Sequence, residues 1–277
     1  MEQLTIAPEI LSAIGSKRPI VALETTLVTH GFPHPEGLEV AHELESTIRS
    51  EGAIPATIGV VDGCLKVGID RTELDALSQS KSAQKLNLSN LAARIAEQGL
   101  GSTTVAATML AAHLSGIRVF ATGGIGGVHR GASETGDVSS DLEALRRFPV
   151  AVVCAGAKAI LDLPRTVEAL ESLGVPIFGV GTDQFPAFYR RESGLAVDRR
   201  FDDIGNLAAA VRTHLELGIG SGVVVANPIP TAAEMPLDLY ETALTRAFEH
   251  LESSGQRGRE VTPFLLEELR QATSGQS

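Results

Sequence analysis

Apolar residues gather along the chain in short unbroken runs: PIVALE (19–24), PATIGVV (55–61), RVFAT (118–122), VAVVCA (150–155), PIFGVG (176–181) and GVVVAN (222–227). Polar and apolar positions do not alternate within them, the mark of strands buried on both faces. The stretches between carry apolar residues at helical spacing and predict helices over 35–50, 103–115, 141–147, 165–173, 203–217 and 238–253. Near the end, TPFLLEELRQAT predicts an amphipathic helix with Phe264, Leu265, Leu266 and Leu269 on its apolar side. Strand and helix in alternation predict an α/β fold, a three-layer α/β/α arrangement with a mostly parallel central sheet. No internal repeat or low-complexity linker breaks the alternation, and a single domain over residues 1–277 is expected.

The unusual residues stand just after these runs. Glu24 closes the first, Gly123 to Gly127 follow RVFAT, Lys158 follows VAVVCAGA, and Asn227 follows GVVVA. Open α/β sheets bind ligands at the carboxyl ends of their strands, so these segments are expected to face one crevice.

Composition narrows what such a crevice binds. At 277 residues and 43% hydrophobic content the chain is long enough to bury a large core. A net charge of −11, with no run of Lys or Arg, argues against partnership with a nucleic-acid polymer or a membrane surface. Aromatic residues make up 4% and Trp is absent, which removes the stacking platforms that single-stranded nucleic acid needs. An anionic small molecule has to meet a local positive site. No apolar stretch reaches the roughly 18 residues of a membrane span. MEQLTIAPEI lacks the basic-then-apolar order of a signal peptide, so the cytoplasm is the expected location. Cys64 and Cys154 have no CxxC spacing, which sets aside a disulfide framework or structural zinc, and Cys154 reads as a small core residue.

Lys158 closes VAVVCAGAK, where an apolar strand delivers one amine into a turn of small residues. An apolar surround disfavours an ammonium ion, so a lysine so placed is either ion-paired and structural or a nucleophilic amine. Glu24, just before TTLVTHG, is either a turn cap or a general acid/base. The glycine-dense GGIGGVHRG (123–131) can cradle an anion with backbone N–H groups, His129 and Arg130 adding positive charge, or simply form a tight loop. It is no dinucleotide fingerprint, because His129 takes the third glycine's place, and no GxxxxGK[ST] phosphate loop exists. GSTTVAATM (101–109) opens a helix where Ser102, Thr103 and Thr104 either cap it or help free N–H groups bind an anion. In ETGDVSSDL (134–142), Asp137 and Asp141 with Ser139 and Ser140 can hold a hard divalent cation; the serines can equally cap the next helix. No HExxH is present, which disfavours a zinc hydrolase.

Taken in order, VALETTLVTHGFPHP, GSTTVAATM, FATGGIGGVHRG, DVSSDL, CAGAKAILD, VVVANPIP and TPFLL resemble the successive blocks of the pseudouridine-5′-phosphate glycosidase family, along nearly the whole chain. The resemblance implies reversible cleavage of pseudouridine 5′-phosphate to uracil and ribose 5-phosphate by a homotrimer that uses a divalent metal, usually manganese (Mn²⁺). It implies that Lys158 is the Schiff-base nucleophile, that Glu24 is the proton donor, and that Asp137 holds the metal with Ser139, Ser140 and Asp141 near the substrate. Val105 resembles a backbone contact to substrate. Lys85 in KLNLSNL resembles a substrate-binding lysine, although Ser89 and Asn90 stand where the family carries Arg-Asp. His129 and Asn227 complete the candidate substrate contacts. Family members continue past the TPFLL helix into another Asn-bearing helical segment, whereas this sequence stops at TSGQS; a C-terminal segment shorter than the family pattern, with weakened activity, is expected.

These residue types suit that chemistry. Pseudouridine joins ribose C1′ to carbon 5 of uracil, leaving no heteroatom for ordinary glycoside hydrolysis to protonate. An amine that attacks C1′, with the ring oxygen leaving and taking a proton, opens the sugar instead. By themselves the residues reach amine catalysis on a phosphosugar, and only the resemblance selects the C-glycoside. A lysine-dependent lyase of the aldolase kind shares Lys158 but needs neither metal nor uracil. A non-catalytic phosphate- or nucleotide-binding regulator leaves Lys158 and Glu24 without a role.

Overall fold

The computed structural model describes residues 3–256 and 261–273, so Ser274 to Ser277 of the TSGQS end lie outside the described residues. By compactness the chain divides into two units. The first holds the described residues up to Thr122, with Glu143–Val153 and Leu215–Val223. The second holds Gly123–Leu142, Cys154–His214 and the described residues from Val224 onward.

The first unit opens with β1 (Leu4–Ile6), α1 (Pro8–Gly15), β2 (Ile20–Leu23), α2 (Glu36–Ser50), β3 (Ile54–Val61) and β4 (Cys64–Val67). It continues through α3 (Arg71–Gln79), β5 (Gln84–Leu86), α4 (Leu91–Ala96), β6 (Gly101–Thr103), α5 (Val105–Leu114) and β7 (Val119–Ala121), and most of β8 (Ala151–Cys154) belongs to it. Its strands pair in the order β1-β4-β3-β2-β7-β8, with β6 also against β3 and β5 beside β6. Only β4 and β6 run antiparallel to β3; the other pairs are parallel. All eight residues of β3 are buried, the physical reason for its unbroken apolar run. The short β4 follows through a two-residue turn in which Asp62 and Gly63 both take left-handed conformations, φ 49° and 70°. That Asp-Gly turn matches the twist of the strands it joins. Helix α5 packs on β2, β3, β4, β6 and β7 and is buried almost all round, its run of alanines allowing close approach to the sheet.

The second unit contains α6 (Ala132–Thr135), the start of α7 (Ser140–Arg147), α8 (Leu163–Ser172), β9 (Ile177–Val180), β10 (Arg199–Phe201) and most of α9 (Ile204–Glu216). Most of β11 (Val223–Ala226), α10 (Leu237–Ser254) and α11 (Val261–Ala272) follow. Strand β9 lies between β11 and β10, parallel to both. Helices α10 and α11 pack on each other, with Leu265 and Leu269 buried as the amphipathic pattern predicts.

The protein is therefore α/β with a mostly parallel sheet. The apolar runs form β2, β3, β7, β8, β9 and β11, each within a few residues of the expected bounds. No helix among the described residues is long and apolar enough to cross a membrane.

Candidate active site

In the first unit the parallel register places Leu23 opposite Ala121. The next residues along these strands are Glu24 and Thr122, and the Thr122 hydroxyl donates to Glu24 Oε1. Glu24 is partly buried. Beside it Thr25 is fully buried; its hydroxyl donates to Ile58 O at 2.8 Å and accepts the Thr103 N–H at 3.0 Å. Thr103 donates to the same carbonyl at 2.7 Å and accepts from Thr108 at 2.9 Å, while Thr26 donates to Thr103 O at 2.8 Å. Thr29 donates to Ser102 at 2.8 Å. The hydroxyls of the GSTT block thus tie α5 to the turn after Glu24, where the sequence allowed caps or ligand contacts. Thr104 Oγ1 differs: it is buried at the N-cap position of α5, makes no capping bond and has no hydrogen-bond partner among the described residues. Val105 is the buried first residue of that helix, and Lys85 is partly buried on β5, opposite Ser102 of β6. A π turn at Leu27–Gly31, a rare element frequently found at functional sites, follows the Glu24 segment and has no signature in the apolar pattern.

In the second unit the CAGAK segment and the glycine loop lie side by side. Ala155 N–H donates to Gly123 O, Ile125 N–H to Gly156 O and Lys158 N–H to Ile125 O, each at 3.0 Å. These bonds pair the two segments, with Ile125 bridged in parallel to Ala157, and they hold the backbone of the partly buried Lys158. Gly156 permits the path: its φ is +85°, and a Cβ there would run into the Pro186 carbonyl.

The same packing takes up several of the N–H groups that the sequence offered as an anion cradle. Besides Ile125, Gly126 N–H donates to Asp141 Oδ2 at 2.8 Å, Val128 N–H to Thr166 at 3.0 Å, and His129 N–H to Asp137 O at 3.1 Å. These four donors are committed to protein acceptors and are not offered to an anion. The glycine density also answers to space, since a Cβ at Gly126 would collide with Ser139 and one at Gly127 with Thr166. Ser139 caps α7, its hydroxyl accepting the Asp141 N–H at 3.2 Å, and Ser140 is the first residue of that helix. Asp141 is 4% exposed. Asn227 is exposed, and its N–H donates to Cys154 O at 2.9 Å. Burial pushes the Cys154 thiol up to about 12, so it stays neutral in the core as its setting suggested.

His129 and Asp137 face each other, Nδ1 to Oδ2 at 4.0 Å. They share a cavity of about 710 Å³ with Arg130, Ile160, Phe248 and Leu265. Arg130 stacks over the Phe248 ring at 4.7 Å. No group of three or more His, Cys, Asp or Glu among the described residues is arranged to hold a metal. Asp137 supplies one partly exposed carboxylate on the cavity wall, a donor that fits a hard divalent ion completed largely by water and substrate oxygens.

A family model described as indigoidine synthase A like protein matches residues 9–277. A pseudouridine-5′-phosphate glycosidase of Paracoccus denitrificans is 50% identical over 276 residues, 99% of this chain and 91% of that protein. One from Solibacter usitatus is 49% identical over 274 residues, 99% of this chain and 92% of the other. Among solved structures, the prealnumycin C-glycosynthase AlnA in complex with ribulose 5-phosphate superposes with a TM-score of 0.91 at 36% identity, covering 100% of this chain and 90% of that one. An indigoidine synthase A-like protein from Thermotoga maritima gives 0.89 at 33%, covering 99% and 88%.

Proposed function

The chain belongs to the indigoidine synthase A-like family, and we propose that, as an enzyme of C-glycosidic bonds, it reversibly cleaves pseudouridine 5′-phosphate to uracil and ribose 5-phosphate. The observation that carries this reading is 50% identity, over 99% of the chain, to a protein of that name. The likeness to a C-glycosynthase with a bound pentulose phosphate supports the same bond and the same kind of sugar.

In the proposed reaction Lys158 Nζ forms a bond to C1′ as the C1′–O4′ bond breaks, and O4′ takes a proton, opening the sugar. Uracil carbon 5 is then protonated. The lone pair of the attached nitrogen expels the base: the C1′–C5 bond breaks, its electrons return to the uracil ring, and a C1′=N iminium forms on Lys158. Water adds to that iminium, and loss of the amine gives the aldehyde of ribose 5-phosphate. Glu24 is the proton donor that the family pattern names, a partly buried carboxyl group that accepts from the Thr122 hydroxyl. Asp137 would hold the divalent ion, which supplies positive charge for substrate oxygens. Lys85, Val105, Ser139, Ser140, Asp141, His129 and Asn227 remain the proposed substrate contacts, and a homotrimer the proposed assembly.

The test is direct. Incubation with pseudouridine 5′-phosphate and Mn²⁺ should release uracil and ribose 5-phosphate in equal amounts, and the two products should recombine in the reverse assay. Absence of uracil release, with every divalent ion tried, would overturn the assignment.

A further inference from the structure

We propose that Thr122 is a positioning residue for Glu24, acting on the reaction only through that carboxylate; the inference rests on the acid/base reading of Glu24. The residues are 98 apart in sequence, yet their side chains are hydrogen-bonded. Their meeting follows from the backbone. Strands β2 and β7 are parallel neighbours, with Ala22 opposite Phe120 and Leu23 opposite Ala121, and Glu24 and Thr122 are the next residues out of each strand.

Both ends of the pair are anchored. Thr122 N–H donates to Val153 O at 3.0 Å, tying its backbone to β8. On the other side Thr25, immediately after Glu24, is locked by Ile58 O and the Thr103 N–H. The sheet therefore presents a hydroxyl to Glu24 Oε1 from a fixed origin, which restrains rotation of the carboxyl group about its terminal torsion.

The chemistry of the partner matters as much as its place. A hydroxyl donates to a carboxylate and, on rotating, accepts from a carboxylic acid. It can therefore hold the side chain in both protonation states, as a group that gives up and regains a proton in each cycle requires. A lysine or arginine at this position would bind only the anion.

The experiment compares Thr122→Val, Thr122→Ser, Glu24→Gln and the double variant Thr122→Val/Glu24→Gln, with pseudouridine 5′-phosphate as substrate. Loss of a hydrogen bond to a charged group should lower kcat by about 10- to 100-fold with KM little changed. The serine variant should recover most of the rate. In the Glu24→Gln background, Thr122→Val should cause no further loss. Thr122→Ala provides a second removal of the hydroxyl should valine prevent folding. A Thr122→Val enzyme at full kcat beside an impaired Glu24→Gln enzyme overturns the proposal alone. So does a Thr122→Val loss that repeats undiminished in the Glu24→Gln background, since that would make Thr122 merely structural. Full activity in Glu24→Gln overturns the acid/base reading of Glu24 and the role of Thr122 with it.

Discussion

Asp141 Oδ2 accepts the Gly126 N–H at 2.8 Å, joining the first turn of α7 to the glycine loop that runs beside Lys158. Both partners are buried, so removing the acceptor strands a backbone donor. Asp141→Ala should destabilise the fold by about 1–3 kcal/mol in urea unfolding. Asp141→Asn keeps an acceptor and should recover most of that loss. Equal stabilities for the alanine variant and the parent would show that the bond carries no weight.

If Lys158 is the nucleophile, borohydride added during turnover should trap one ribose-phosphate adduct per active chain on that side chain. Peptide mass spectrometry should locate it at Lys158, and Lys158→Ala should remain unlabelled and inactive. Label found equally in the alanine variant would exclude the covalent role.

Glu24→Gln keeps the size of the side chain and removes its acid/base capacity. Turnover should fall by about 10²–10⁴ while the circular dichroism and melting profile stay those of the parent. A near-native rate across the pH range would make Glu24 a structural residue of the strand end.

Asp137 is the residue to test for metal. Chelation should abolish cleavage, Mn²⁺ should restore it, and Asp137→Ala should show weakened Mn²⁺ binding by calorimetry. Retention of full activity by rigorously metal-free protein would remove the ion from the reaction.

Cys154 predicts a pH dependence of stability. Its ordinary value of 9.0 applies in the unfolded chain, whereas burial raises the folded value to about 12. Below 9.0 both states are protonated and the contribution is fully present. As pH rises between 9.0 and about 12 the unfolded state loses the proton first, and stability falls by up to about 1.4 kcal/mol per pH unit from this thiol. The stability gap between the parent and Cys154→Ala should therefore shrink on going from pH 8 to pH 10. An unchanged gap would contradict the buried neutral thiol.

Much of this was legible in the sequence, for a physical reason. A strand buried on both faces is apolar at nearly every position, so PATIGVV, with Thr57 its one polar residue, and GVVVAN announce β3 and β11 without knowledge of their neighbours. A polar residue soon after such a run lies close to a strand end, which marked Glu24, next after β2, and Lys158, four residues past β8, and the ordered blocks marked the family. Shorter elements escaped because their signals are local and slight: β4 is four residues announced chiefly by the Asp62–Gly63 turn, and β5, β6 and β10 are three residues each. What the tertiary structure alone decided is who meets whom. Thr122 reaches Glu24 across 98 residues and Thr25 reaches Thr103 across 78, while Asp141 takes a glycine N–H that the loop seemed to hold ready for an anion. A hydroxyl, a carboxylate or a backbone N–H has the same bonding capacity in every sequence context. Strand register and packing decide whether that capacity is used inside the protein or left for a ligand.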